Sequence, residues 1–359
     1  MAPAFAALTQ VQRQGRPVHA ARVILRGFPW ARYGDALLME DCRVSTRGLF
    51  LQNVIALIWD FDKTLSPSYM QVPLFRAYEV DGKRFWQEVN ALPAFYAKAG
   101  VKLQADVAYL GHLLTYVKSG RMPGLTNARL RELGSEIDFF NGVPDIFRQL
   151  NAVLESPPFR DGDLRLEHYV VSTGLAEMIR GSAIAPHLES IYGCEFVEVP
   201  AGPDFNPEAE PGSGPISQIA GFLDNTTKTR ALFEINKGVN KPVDISVNDS
   251  IPEEDRRVPF KNMIYVADGP SDIPCFSVVK KHAGLTYAVY DPESEEHFAQ
   301  AAQLQESGRV HMFGPADYRP ESQTAKWLTF RIRGIADRIM SERKKALEGR
   351  VAPSPSHLE

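Results

Sequence analysis

A chain of 359 residues can hold two ordinary domains or one domain with a large insertion, and its 44% hydrophobic content suffices for a sizeable core. The net charge of −4 gives no basic footprint, which excludes nucleic acid as an implied partner. The three cysteines, Cys42, Cys194 and Cys275, are widely spaced, which excludes a disulfide framework or zinc spacing and fits a reducing, cytoplasmic setting; no apolar stretch approaches a membrane-spanning length.

Residues 1–52 contain Arg13, Arg16, Arg22, Arg26, Arg32, Arg43 and Arg47, no lysine and few acids. Such composition occurs in organelle transit peptides and in translated upstream DNA. No periodic apolar face is sustained, so the segment reads as a poorly ordered extension without catalytic role. An apolar run over 54–59, rich in β-branched residues, then reads as a buried parallel strand. It ends in Asp60-Phe61-Asp62-Lys63-Thr64-Leu65, which places two carboxylates where open α/β sheets hold their ligands. Burying two acids there is costly unless a metal or a fixed cation neutralises them. Taken alone, the string could equally be a helix-capping turn with both acids solvated. The pair is expected where the chain leaves the strand and bends away. Thr64 either bonds within that bend or caps the next helix.

Residues 66–138 show apolar positions at helical spacing, punctuated by Gly82, Gly100, Gly120 and Gly124, and predict a bundle of roughly four helices. Arg76, Lys83, Arg84, Trp86 and Tyr96 are its candidates for contacting a ligand. A core with alternating strands and helices resumes at 139 and extends to 348. It opens with a helix over 144–154 and a strand over 164–171, then Ser172-Thr173-Gly174 and a helix over 175–180. Strands over 194–199 and 216–220, joined by a Pro/Gly/acid-rich loop, predict a hairpin. Asn225-Thr226-Thr227-Lys228-Thr229 opens another helix, and the polar stretch 238–261 reads as a surface excursion. The run 263–267 is a strand ending in Asp268-Gly269-Pro270-Ser271-Asp272; another strand covers 285–290. A long amphipathic helix lies within 321–347, and residues 349–359 form a flexible Pro/Ser-rich tail. The pattern predicts an α/β fold, a Rossmann-like parallel sheet between helices.

Read locally, Lys228 could be a solvated helix lysine, while Ser172 and Asp272 could be ordinary caps. Only Asp268, delivered by an apolar strand into a Gly-Pro turn, carries a strong signal alone. His168 and His187 lack partner spacing and read as structural, and Cys275 reads as a small buried helix residue.

The ordered set of acid pair, hydroxyl-Thr-Gly, lysine and Asp-Gly-x-x-Asp, over residues 53 to about 315, resembles the four signature motifs of the haloacid dehalogenase (HAD) superfamily. Phosphoserine-phosphatase-like members are similar in the placement of a helical insert between the first two motifs, where it acts as a cap domain. The resemblance implies a Mg²⁺-dependent phosphatase hydrolysing a small phosphorylated metabolite. Asp60 would be the nucleophile and Asp62 the general acid and base. Mg²⁺ would be held by Asp60, Asp268 and the backbone carbonyl of Asp62. Lys228 would clamp the phosphoryl group, Ser172 with Thr173 and Gly174 would bind its oxygens, and Asp272 and Thr64 would support from behind. Dehalogenase members lack an acid two residues after the nucleophile, so Asp62 argues for phosphoryl chemistry. A phosphomutase or phosphotransferase on the same site, or a non-catalytic sensor of a phosphorylated ligand, remains open, as does the oligomeric state.

Overall fold

The computed structural model describes residues 51–241 and 245–348. The expectations of an N-terminal extension and a C-terminal tail lie outside these residues, apart from Leu51 and Gln52. Among the described residues, seven strands form one sheet: β1 (Val54–Trp59), β2 (Arg165–Leu175), β3 (Ser190–Val197), β4 (Gln218–Gly221), β5 (Met263–Ala267), β6 (Leu285–Tyr290) and β7 (Met312–Pro315). Their order is β4-β3-β2-β1-β5-β6-β7, parallel throughout except for the antiparallel β3–β4 edge.

All six residues of β1 are buried, because helices cover both faces of the sheet. Its side chains divide by parity. Ile55, Leu57 and Trp59 enter one core with Phe147 and Leu150 of α5 (Asp145–Glu155) and Leu328 and Ile332 of α10 (Gln323–Glu348). Val54, Ala56 and Ile58 enter the other core, with Leu232 and Ile235 of α7 (Lys228–Lys237) and Phe276 and Val279 of α8 (Ile273–Lys281). Helix α6 (Ala176–Gly181) follows β2, and α9 (Glu295–Glu306) lies between β6 and β7. Between β1 and α5 the chain makes α1 (Val72–Ala77), α2 (Gly82–Ala97), α3 (Ala108–Lys118) and α4 (Asn127–Gly134). None of the described helices is long and apolar enough to cross a membrane.

Strand order sets the location of the site. From β1 the chain builds outwards through β2 and β3, then returns to β5 on the other flank of β1. This reversal opens a crevice at the carboxyl ends of β1 and its neighbours, where doubly wound sheets bind ligands.

The structure corrects several local expectations. β2 continues through Ser172-Thr173-Gly174 to Leu175, so these residues end a strand rather than begin a helix; a register shift against β3 between Val171 and Leu175 accommodates the extension. The segment expected as a surface excursion over 238–261 packs inwards in its second half: Ile251 and Val258 are buried, and the Asn236 side-chain amide donates to the Val258 carbonyl at 2.7 Å. The sequence pattern does not anticipate α9 or β7. The four residues of β7 are too short and too rich in Gly and Pro to read as a strand.

Arg257, from the same inward segment, pairs with Glu167 of β2; both side chains are 8% exposed. Glu167 also accepts from the Tyr169 hydroxyl at 2.5 Å. Burial alone would raise the Glu167 carboxyl, but the bonds from Arg257 and Tyr169 outweigh that and hold it below the usual carboxylate range. Arg257→Met should therefore cost about 3 kcal/mol in urea unfolding at neutral pH, since it strands a buried carboxylate. Because the folded value is depressed, the pair's contribution is present above the ordinary Glu range. It should fade as pH falls through that range towards the folded value, and the variant should lack this part of the acid dependence. A variant as stable as the parent chain at neutral pH would mean that the pair contributes nothing net.

Candidate active site

Asp60 is the first residue beyond β1, and its N–H still donates to the Val266 carbonyl of β5 at 2.9 Å. This last ladder bond holds its carboxylate over the crevice. The chain then turns: the amides of Thr64, Leu65 and Ser66 all converge on the Phe61 carbonyl, and Lys63 takes a left-handed φ of 63°. The turn leaves Asp62 close enough to Asp60 for the two carboxylates to feel each other's charge. The Met70 N–H donates to Asp62 Oδ1 at 2.8 Å and fixes it. Thr64 donates its hydroxyl to Asp60 Oδ2 at 3.4 Å, and its carbonyl accepts from the Tyr318 hydroxyl at 2.6 Å, which ties the turn to the segment before α10.

Lys228 arrives from across the fold. Asp224 accepts from the N–H groups of Thr226 and Thr227 at 2.8 and 2.6 Å, shaping the start of α7, and Lys228 is its first residue. Its side chain is 1% exposed and donates to Asp60 Oδ1 at 2.7 Å and to Asp272 Oδ1 at 2.8 Å. Asp272, ahead of α8, is fully buried and also accepts from Tyr265 at 2.6 Å and Ser271 at 2.7 Å. Asp268 directly follows β5. Carboxylate oxygens of Asp60, Asp268 and Asp272 lie within 4.8 Å of one another.

So much negative charge with one lysine among it has electrostatic consequences. Burial raises the Asp60 carboxyl to about 6 even though Lys228 pulls the other way. Burial, reinforced by the Asp60 charge, raises Asp62 to about 8. Asp268 is pushed well above the ordinary range by burial and by Asp60 and Asp272. For Lys228, burial opposes the charge, but Asp272 and Asp60 overcome it and hold the lysine protonated well above its usual value. The cluster is thus short of positive charge. An all-oxygen, acidic donor set of this kind fits a hard divalent cation such as Mg²⁺ and could hold one.

The hydroxyl motif lies on the other flank of β1. Ser172 is 1% exposed, and its Oγ accepts from the Gly174 N–H at 3.0 Å. The Thr173 carbonyl accepts from the Tyr109 hydroxyl of α3 at 2.7 Å. A Cβ on Gly174 would come within 2.2 Å of the end of the Met70 side chain, the residue whose amide fixes Asp62, so a larger residue here would have to push that side chain aside.

Asp62, Thr173 and Gly174 open onto a cavity of about 620 Å³ whose far wall comes largely from α2: Lys83, Trp86, Gln87, Val89 and Asn90. Of the five ligand-contact candidates in the insert, Lys83 and Trp86 line this cavity; Arg84 pairs with Glu88 on the surface, and Arg76 and Tyr96 are exposed. The sequence reading missed Tyr69, Gln71, Asp106 and Tyr109 on the same wall. The i, i+3, i+4, i+7 spacing of Lys83, Trp86, Gln87 and Asn90 was an available signal for one shared helix face; Gln71, a lone glutamine, offered none. A larger cavity of about 990 Å³ lies at the opposite, amino-terminal edge of the sheet beside Asn53 and Arg165, away from all these carboxylates. His168 is buried and accepts from the Trp59 indole, and His187 stacks on Phe147; neither faces the site.

No family model matches the sequence. An uncharacterized protein of Borreliella burgdorferi is 35% identical over 287 residues, covering 78% of this chain and 97% of that protein. Among solved structures, the chain is similar to a HAD family hydrolase from Salmonella enterica serovar Typhi, with 14% identity and a TM-score of 0.43 over 73% of this chain and 66% of that one. It is also similar to phosphoserine phosphatase in its apo form, with 13% identity and a TM-score of 0.41 over 72% of this chain and 92% of that one.

Proposed function

The chain belongs to one family with the uncharacterized Borreliella burgdorferi protein, and for it we propose a Mg²⁺-dependent phosphatase that hydrolyses a small phosphomonoester through an aspartyl-phosphate. The observation that carries this reading is Lys228, bonded to Asp60 and Asp272 beside Asp268, with Asp62 held at the mouth of an adjoining cavity. A carboxylate nucleophile, a fixed cation and a protonated acid at one strand end are the groups that phosphoryl transfer to an aspartate requires.

Asp60 is the nucleophile. Lys228 favours its ionised form, and one of its oxygens bonds to phosphorus as the ester P–O bond breaks. Asp62, raised to about 8, carries a proton at neutral pH and passes it to the departing alkoxide, which leaves as the alcohol. Now ionised, Asp62 takes a proton from a water whose oxygen attacks phosphorus. The P–O bond to Asp60 breaks, freeing inorganic phosphate and the Asp60 carboxylate. Ser172 donates its hydroxyl to a phosphoryl oxygen, and Asp272, braced by Tyr265 and Ser271, keeps Lys228 aimed at Asp60. Asp60 and Asp268, with the Asp62 carbonyl, would hold Mg²⁺, which supplies charge neutralisation for the phosphoryl oxygens and the surrounding carboxylates. The helices over 66–138 act as a cap that shelters the leaving group. The buried, unpaired thiols of Cys194 and Cys275 suit a reducing compartment such as the cytoplasm.

Purified protein supplied with Mg²⁺ should release inorganic phosphate from a generic aryl phosphate and from a subset of phosphorylated metabolites. Binding of phosphate esters with no release across a broad panel would overturn the assignment.

A further inference from the structure

Two large rings line the cavity beside Asp62, and the proposed chemistry uses neither. Tyr69, between the Asp62 turn and α1, is 50% exposed. It lines the cavity of about 620 Å³ and also a smaller one, of about 200 Å³, that reaches Asp268. The half-buried Trp86 of α2 lines the first cavity with it; the two ring centroids are 5.4 Å apart and the planes are tilted by 41°. Apolar surface left in water is costly, and apolar patches rimmed by polar residues mark binding sites. The exposed residues around these rings, Lys83, Gln87, Asn90 and Asp106, are polar. Aromatic walls with a few polar groups are the usual lining of small-molecule sites.

Both rings are held in place. Trp86 packs on Phe75, Phe85 and Tyr109, with centroids 6.5, 5.4 and 5.7 Å away, and the Tyr109 hydroxyl is fixed by its 2.7 Å bond to the Thr173 carbonyl. The Lys63 ammonium lies 5.5 Å from the Tyr69 centroid and donates to the Pro67 carbonyl at 2.7 Å. A wall fixed before the ligand arrives loses little side-chain freedom on binding.

We propose that Tyr69 and Trp86 form an aromatic platform that selects phosphomonoesters whose alcohol carries a flat, apolar ring close to the ester oxygen. The proposal rests on the phosphatase reading above and names a substrate class for it. Asp62 must meet the ester oxygen, and it opens onto the same cavity as both rings, so the carbon atoms beyond that oxygen run along them. A flat ring there gains apolar burial and ring-on-ring contact. A short chain gains little of the first, and a saturated ring forgoes the second.

The test compares kcat/KM for benzyl, cyclohexylmethyl and propyl phosphate. All three release a primary alcohol, which keeps differences in leaving-group acidity small. The full chain should favour benzyl phosphate over propyl phosphate by about tenfold or more, and over cyclohexylmethyl phosphate by about threefold or more. Both ratios should fall towards one in Tyr69→Leu and in Trp86→Leu, which keep apolar bulk but remove the ring. Absence of either preference in the unaltered chain would overturn the inference while leaving the phosphatase reading intact. So would preferences undiminished in either variant. If Trp86→Leu fails to fold, Tyr69→Leu, at a half-exposed position, decides the matter. Turnover of none of the three esters, nor of an aryl phosphate, would sink the phosphatase reading, and this inference with it.

Discussion

Asp60→Asn is expected to lower phosphomonoester turnover roughly a thousandfold or more, the scale seen when an enzyme loses a member of its reacting set, while the protein stays folded. The two consequences have different physical origins. Turnover falls because the amide is the same shape but has no carboxylate lone pair at the point where phosphorus must be attacked. Stability survives because Asp60 is an awkward residue to bury: desolvation already raises its carboxyl to about 6. A neutral amide removes that penalty, and its oxygen can still accept from Lys228. Lys228 also retains its 2.8 Å bond to Asp272, so no charge is stranded. Phosphate release and urea unfolding, measured on the same preparation, separate the two. Wild-type turnover in the variant would remove Asp60 from the chemistry; a collapse in stability would instead make Asp60 a structural ion-pair partner.

The parts of this molecule that were legible in its sequence are those set by short-range pattern. β1 and β5 are uninterrupted apolar runs, so their parallel, doubly covered environment and the strand-end positions of Asp60 and Asp268 follow from composition alone. Long-range partnerships are a different matter. Lys228 meets Asp60 across 168 residues, and from its own neighbourhood it reads as a solvated helix lysine; burial between two carboxylates comes only from how α7 docks on the sheet. The extension of β2 through Ser172-Thr173-Gly174 is likewise a tertiary effect. Its pairing with β3 slips between Val171 and Leu175, and the end of the Met70 side chain packs against Gly174 there. The inward packing of Ile251, Arg257 and Val258 was hidden by the polar residues around them.

Chelation should abolish phosphate release almost completely, and added Mg²⁺ should restore it. The reason lies in the charge balance around Lys228. Oxygens of three carboxylates gather within 4.8 Å, with Asp62 nearby, and Lys228 bonds two of the three. Bringing a phosphomonoester dianion against this set adds two more negative charges to a site that already forces Asp268 well above its ordinary range. Without a divalent cation the cheapest response is protonation of Asp60 or Asp268, and a protonated Asp60 cannot attack. The loss should therefore appear in kcat as well as in KM, and raising substrate concentration should not recover it. The products also discriminate between fates of the phosphoryl group. A phosphatase releases inorganic phosphate with Mg²⁺ alone, because Asp62 can activate water once the alcohol has left. A mutase would release little and would need a bisphosphate to start, and a sensor would bind esters without turning them over. Undiminished phosphate release in excess chelator would show that Lys228 alone neutralises the transferring group, and the carboxylate cluster would then have no metal to hold.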